Sequence, residues 1–119
     1  MKCLKKIKTI EELKNNILTN ELVFVYFSQP NCSVCHGLKP QVESKLKEFR
    51  KTVVFIEVDA VEIPKVSGEF SVMTAPVILL FVEGKEYMRK ARFIPIQELY
   101  SDVKKIVEGT EAAKLIERV

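Results

Sequence analysis

Two cysteines separated by two residues stand where an apolar segment gives way to an amphipathic one, in the string Cys32-Ser33-Val34-Cys35. When such residues form the first turn of a helix, the cysteine Cα atoms come within the roughly 4.4–6.8 Å that a disulfide requires. A dithiol of this kind can close into a disulfide and open again, because a thiolate can attack a disulfide sulfur. The spacing therefore predicts exchange chemistry at Cys32 and Cys35.

The segments on either side of the cysteines predict a strand followed by a helix. Leu22–Phe27 is rich in β-branched and aromatic residues and is too short for a typical helix, which favours a buried strand. After it, apolar residues recur at helical spacing, at Cys35, Leu38, Val42, Leu46 and Phe49. Pro40 falls inside this stripe, and because the stripe continues beyond it we expect a kink there and not a helix end.

The remaining patterns complete an α/β order. Thr9 and Glu12 form a capping-box pattern at the start of a helix over approximately 9–18, and Leu4–Ile7 precedes it as a candidate short strand. Further strands are predicted over 53–58, 77–82 and 85–93, a weaker helix over 60–70, a last helix over 96–107 and a short helical tail over 110–119. The predicted order is β-α-β-α-β-α-β-β-α, a central mixed sheet flanked by helices.

Composition limits the class of protein. The 119 residues, 47% of them hydrophobic, predict a single domain over 1–119 with its core at about 4–108. The net charge is only +3 and the basic residues are dispersed, which argues against nucleic acid as a partner. The longest apolar runs are far shorter than the roughly 20 residues that span a bilayer, so no membrane association is expected. The basic N-terminus lacks an apolar signal core, and we expect a cytoplasmic protein.

Taken together, these features resemble the thioredoxin family over roughly residues 4–108. A core strand delivers the Cys32-to-Cys35 motif to a helix start, and Pro40 follows five residues later like the family's kinking proline. Residues 72–77 resemble its loop ending in a cis-proline, at Pro76, and Glu83-Gly84 resembles its hairpin turn. The resemblance implies the thioredoxin fold and thiol-disulfide oxidoreductase activity, with a part in redox homeostasis and electron transport.

The helix start gives the two cysteines different roles. Unpaired N–H groups and the helix dipole stabilise an anion there, so we expect the pKa of Cys32 to lie below its free value of about 8.5 and Cys32 to attack. Cys35, one turn further and on the apolar stripe, is expected to be more buried and to resolve the mixed disulfide. By resemblance, Pro76 is cis and the backbone of Ala75 orients the target strand.

The sequence departs from the family at several positions near the motif. Asn31 replaces the usual tryptophan, and Ser33-Val34 replaces Gly-Pro. Tyr26 occupies the position of the family's buried aspartate, and a phenol with a pKa near 10 is a poor proton acceptor at neutral pH. Glu57 is an alternative carboxylate, although strand alternation can point it elsewhere. His36 is either a solvated residue or, when charged, lowers the pKa of Cys32.

Two other readings of the same residues involve a metal centre. Cys32 to His36 also matches a c-type haem attachment motif, which the absence of an export signal argues against. Cys3, Cys32, Cys35 and His36 offer the number and the types of ligands that a tetrahedral zinc site requires. If Leu4–Ile7 is a strand parallel to the one before the dithiol, however, Cys3 lies at the opposite sheet end, about 15 Å away.

A third alternative is a non-catalytic thioredoxin-like module that only binds a protein partner, since fold does not imply function. Retention of both cysteines favours the enzyme instead. We therefore expect disulfide-containing proteins or small-thiol disulfides as substrates and a flavin reductase or low-molecular-weight thiol as external reductant. No metal or organic cofactor is required for this chemistry. The apolar tail permits a dimer without requiring one, and we expect a monomer.

Overall fold

The computed structural model describes residues 3–118 and shows one sheet with helices on both faces. The element order matches the predicted α/β order, with a short 3-10 turn at Lys47–Phe49 added after the dithiol helix. The strands are β1 (Lys5–Lys6), β2 (Leu22–Ser28), β3 (Val54–Asp59), β4 (Val77–Val82) and β5 (Lys85–Ala91). The helices are α1 (Ile10–Thr19), α2 (Ser33–Lys45), α3 (Val66–Glu69) and α4 (Ile96–Arg118).

Strand β2, which leads into the cysteines, is the centre of the sheet. The strand order is β1-β3-β2-β4-β5, with β3 parallel to both β1 and β2 and with β4 antiparallel to β2 and β5. Every residue from Leu22 to Phe27 is buried, as a strand covered on both faces requires. The dithiol therefore follows the most enclosed strand of the protein.

Alternation along β2 divides the core into two layers. Phe24 and Tyr26 face one layer, which also contains buried residues of α2 and α4. Val23, Val25 and Phe27 face the other layer, together with α1 and α3. Because side chains alternate between the faces of a strand, the single segment β2 contributes to both layers and fixes α2 over the Tyr26 side.

Helix α1 begins as the capping-box pattern predicts. The backbone N–H of Glu12 donates to Thr9 Oγ1 at 3.1 Å, and the buried residues Ile10, Leu13 and Ile17 form the stripe against the sheet. The Glu12 carboxylate accepts from the backbone N–H of Lys8 at 3.4 Å, whereas a capping box predicts a bond from the N–H of Thr9, the next residue.

The β4–β5 hairpin combines a tight turn with a bulge. Glu83 and Gly84 both have positive φ, 50° and 82°, which is the type I′ geometry that suits a two-residue hairpin. The register then shifts, so that Phe81 pairs with Glu86 and Leu80 with Met88, leaving Tyr87 as the extra residue.

Two helices differ in extent from the predicted ones. Residues 60–65 form turns, and only Val66–Glu69 is helical, because Asp59 Oδ1 accepts from the N–H groups of Val61 and Glu62 and holds a turn there. The last helix does not end near 107: α4 continues through Gly109 to Arg118, with Lys114 Nζ 2.7 Å from Glu21 Oε1. Residue 119 of the predicted tail lies outside the described residues.

Strand β1 is an edge strand that pairs with β3, which lies between it and β2. It is also shorter than predicted, covering Lys5–Lys6. Within residues 3–118, no helix combines the length and the apolar character needed to cross a bilayer.

Candidate active site

Cys32 and Cys35 lie at the start of α2 and are joined by a disulfide with their Cα atoms 5.2 Å apart. Cys32 is the N-cap residue of the helix, and its Sγ accepts a hydrogen bond from the Cys35 N–H at 3.1 Å. Cys35 is buried, 1% exposed, whereas Cys32 is half-buried. The helix thus holds one sulfur at the surface against a backbone donor and the other beneath it, as the sequence predicts.

The loop before Cys32 is tied to the first turn of the helix. The Cys32 N–H donates to the Gln29 carbonyl at 3.2 Å, and His36 Nε2 donates to the Pro30 carbonyl at 2.8 Å. His36 is exposed. Its ring therefore braces the segment that carries Cys32, and its effect on the pKa of Cys32 stays a prediction.

Tyr26 lies directly below the dithiol turn. It is fully buried, and its hydroxyl donates to the Cys35 carbonyl at 2.5 Å. The next carbonyl of the helix, that of His36, lacks its usual i+4 donor because Pro40 has no N–H, and helix α2 nevertheless continues through Pro40. Burial first, and then the charge of Glu57, raise the pKa of Tyr26 above its ordinary value. The phenol therefore stays protonated and acts as a hydrogen-bond donor.

Glu57 shares the sheet face with Tyr26, because the two residues are register partners on β2 and β3. Its Oε1 lies 2.8 Å from Lys39 Nζ, and its side chain is only 14% exposed. Lys39 follows Cys35 by four residues on α2. The Glu57 carboxylate thus points at the dithiol helix, in an ion pair one turn beyond Cys35.

Cys3 is remote from the dithiol. Its thiol contacts the Glu43 carbonyl, with Sγ and O 4.0 Å apart, and Glu43 lies eleven residues after Cys32, about 16 Å along a helix. Burial first, and then the Glu43 carboxylate, raise the pKa of the Cys3 thiol. Within residues 3–118 no three potential ligands of the His, Cys, Asp or Glu types cluster at metal-binding distance, so the four-ligand zinc alternative has no geometric support.

Ala75 and Pro76 lie at the same end of the sheet as the dithiol, because Val77, the first residue of β4, pairs with Phe27 near the end of β2. The Ala75–Pro76 peptide bond is cis, as the resemblance implies, and Ala75 packs on the same core layer as Cys32. The Pro76 carbonyl accepts from the N–H of Arg92 at 2.8 Å, which joins the loop before β4 to the residue after β5. Of the residues that the sequence singles out around the dithiol, Tyr26 bonds to Cys35 and His36 bonds to the loop before Cys32, while Ala75 and Pro76 lie at the same sheet end.

Sequence reasoning missed Arg89, which holds the segment leading to Pro76. Its guanidinium donates to the carbonyls of Phe70 and Ser71 at 2.7 and 3.0 Å and forms two 2.8 Å bonds with the Glu86 carboxylate. Residues three apart on a regular strand face opposite sides, so strand alternation predicts that Glu86 and Arg89 point away from each other. The bulge at Tyr87 places both on the α3 side of the sheet.

Comparison with known proteins identifies the family of this chain. Residues 5–108 match the model of the family described as Thioredoxin. The chain belongs to the thioredoxin family. It is 34% identical over 106 residues to the thioredoxin-like protein YdfQ of Bacillus subtilis, with 89% of this chain and 94% of that protein covered. Thioredoxin 1 of Chlorobaculum tepidum is 31% identical over 101 residues, covering 84% and 97%.

Solved structures agree on the fold. A thioredoxin from Trypanosoma brucei brucei superposes with a TM-score of 0.78 at 20% identity, covering 88% of this chain and 91% of that chain. Oxidised mitochondrial thioredoxin 3 from Saccharomyces cerevisiae gives 0.75 at 21%, covering 86% and 94%. With its cysteine pair at disulfide distance, this member of the family is a thiol-disulfide oxidoreductase, and the purely binding module is not favoured.

The Arg89 contacts predict a pH-dependent contribution of Glu86 to stability. The hydrogen bond from Arg89 holds the pKa of Glu86 below its ordinary 4.5, against the opposing effect of burial. A carboxylate whose folded-state pKa is depressed stabilises the fold above its unfolded pKa, and that stabilisation is lost as the pH falls through the folded value. We expect Glu86→Gln to lower the free energy of unfolding at pH 7 and to differ less from the parent below about pH 4.5.

Urea unfolding of both proteins across this pH range measures the effect. Glu11→Gln, which changes an exposed carboxylate in the first turn of α1, is the control for a general loss of negative charge. A Glu86→Gln difference that stays constant from pH 7 to pH 3 would contradict the assignment.

Proposed function

We propose that Cys32 is the attacking nucleophile and Cys35 the resolving thiol in the reduction of disulfides in proteins. The observation that carries this proposal is the asymmetric pair: Cys32 Sγ is half-buried and accepts the Cys35 N–H, while Cys35 is buried beneath it. A backbone donor facing the sulfur favours the thiolate, and the thiolate is the reactive form.

The reaction balances through two exchanges. The Cys32 thiolate attacks one sulfur of the target, the target S–S bond breaks, and a mixed disulfide with Cys32 forms while the first target thiolate leaves. The Cys35 thiolate then attacks Cys32 Sγ and expels the second target thiolate. The target gains two electrons and two protons, and the Cys32–Cys35 disulfide that results must be reduced by an external donor, a flavin reductase or a low-molecular-weight thiol.

Other residues of the site support these steps. We propose that the Ala75 backbone, next to cis Pro76, pairs with an extended target segment in the manner of an added strand. Glu57 is the carboxylate on this sheet face that is available to take up the Cys35 proton, since Tyr26 stays protonated. We further propose that the protein acts as a single-domain monomer in the cytoplasm, in redox homeostasis and electron transfer.

Redox equilibration with mass-spectrometric thiol counting tests the proposal. The protein is equilibrated in buffers of defined dithiol-to-disulfide ratio, quenched with an alkylating agent and weighed. We expect two thiols to disappear together as the buffer becomes oxidising while Cys3 remains alkylated, and the Cys3→Ser variant to show the same midpoint. Independent loss of single thiols, or pairing that involves Cys3, would overturn the proposed role of the dithiol.

A further inference from the structure

A groove runs beside the dithiol between the first turns of α2 and the segment that follows β5. Its volume is about 330 Å³, and its lining includes Val34 and Leu38 on the α2 side and Arg92, Phe93 and Ile94 on the other. Val34 lies between the two cysteines in sequence, and the N–H of Arg92 is bonded to the Pro76 carbonyl. The groove is therefore continuous with the reactive end of the molecule.

Three large apolar side chains are exposed on the segments at this end of the sheet. Phe93 is 84% exposed, Met73 76% and Val34 58%, and they belong to the segment after β5, the loop before Pro76 and the motif itself. Single exposed apolar residues are normal on a protein surface, but several on the segments next to a reactive dithiol indicate a surface that binds a partner.

Arg92 adds a positive charge to this apolar surface. It is exposed and has a φ of 65°, a left-handed conformation that is uncommon for residues other than glycine. None of the ion pairs within residues 3–118 includes Arg92, and no acidic residue lines the groove. The guanidinium at this rim therefore has no carboxylate partner in the described part of the chain.

We propose that this surface selects protein disulfides whose cysteine is flanked by a large apolar residue and an acidic residue. The apolar side chain packs in the groove against Phe93 and Val34, and the carboxylate pairs with Arg92. The inference rests on the proposed function and specifies its substrate class. An extended polypeptide is the occupant that fits, because it can pair with the Ala75 backbone and present an apolar and an acidic side chain to the groove at once.

Matched disulfide peptides test this selection. All peptides share one sequence with a leucine beside the reactive cysteine. In separate peptides, Glu, Gln or Lys occupies the position before or the position after this cysteine–leucine pair. Oxidised glutathione serves as the low-molecular-weight disulfide. Second-order rate constants are measured with the dithiol form of the protein at low and high salt. We expect the best Glu peptide to react about threefold faster than its Gln counterpart and about tenfold faster than its Lys counterpart at low salt.

Variants assign the effect to the two side chains. Arg92→Gln, and Arg92→Gly, which suits the positive φ, should bring the Glu, Gln and Lys rates to within about twofold of one another. Phe93→Ala should slow the leucine peptides about tenfold more than it slows oxidised glutathione. Lys51→Gln removes an equal charge before β3, at the sheet end opposite the dithiol, and should preserve the ranking of the peptides.

The outcomes separate the two levels of the proposal. Equal rates for the three peptides, or a ranking that survives in both Arg92 variants, would overturn selection by charge. A Phe93→Ala variant that slows all disulfides equally would overturn the apolar subsite. Failure of the parent protein to reduce any disulfide, oxidised glutathione included, would overturn the proposed function and this inference with it.

Discussion

Replacing Cys32 with serine abolishes disulfide reduction, whereas replacing Cys35 leaves a protein that reacts once and stops. A serine hydroxyl is not ionised at neutral pH, and it cannot form the mixed disulfide that begins the exchange, so we expect turnover to fall by about a thousandfold or more. Reduction of insulin or of a disulfide peptide, followed under steady-state conditions with an excess of dithiol, measures this loss.

The Cys35→Ser variant provides the matched comparison. Its Cys32 is still placed at the helix start and still attacks, but no second thiol is present to release the product. We expect a stable adduct of protein and target that mass spectrometry detects and that excess dithiol removes. Turnover in Cys32→Ser at the parent rate, or an adduct formed through Cys35 in that variant, would contradict the assigned order of attack.

Tyr26 is expected to be the residue near the site with the largest effect on stability. It is fully buried, so Tyr26→Ala leaves a cavity in the centre of the layer under α2 and should lower the free energy of unfolding by about 3–5 kcal/mol. Tyr26→Phe removes only the hydroxyl that donates to the Cys35 carbonyl and should cost about 1 kcal/mol. Urea unfolding of the oxidised proteins measures both changes.

The same two variants separate a structural role of Tyr26 from a catalytic one. Because its pKa is raised by burial and by Glu57, the phenol stays protonated at neutral pH and is not the proton acceptor for Cys35. We therefore expect the Tyr26→Phe variant to resolve its mixed disulfide within about twofold of the parent rate, with an unchanged pH profile. A tenfold slower resolution, or a shifted profile, would show that the hydroxyl takes part in the chemistry.

The parts of the fold that the sequence predicts correctly are those set by local physics. The short continuous apolar run gives β2, the apolar repeat at helical spacing gives the stripe of α2, and Thr9 gives the start of α1. Glu83-Gly84 has few backbone options between two strands and forms the type I′ turn. The dithiol belongs to the same class, because a two-residue spacing at a helix start brings the sulfurs together whatever the rest of the fold does.

Other elements differ from the predicted ones for reasons that the apolar pattern does not contain. The helix predicted over 60–70 gives way to turns that the Asp59 carboxylate holds through the N–H groups of Val61 and Glu62. The last helix continues past 107, and its extension carries Lys114 to Glu21, a residue more than ninety positions earlier in the chain. No local pattern contains the position of such a partner.

The amino-acid sequence alone determined the chemical groups of this site: a half-buried cysteine at a helix start, a buried cysteine one turn further, and a loop that ends in a cis-proline by family resemblance. Only the tertiary structure decided what surrounds that chemistry. The bulge at Tyr87 turns Glu86 and Arg89 to one face, and the hydrogen bond to Pro76 sets Arg92 at the rim of the groove. Covalent spacing acts within a few residues, whereas charge and shape around a site depend on which remote segments the folded sheet brings into contact.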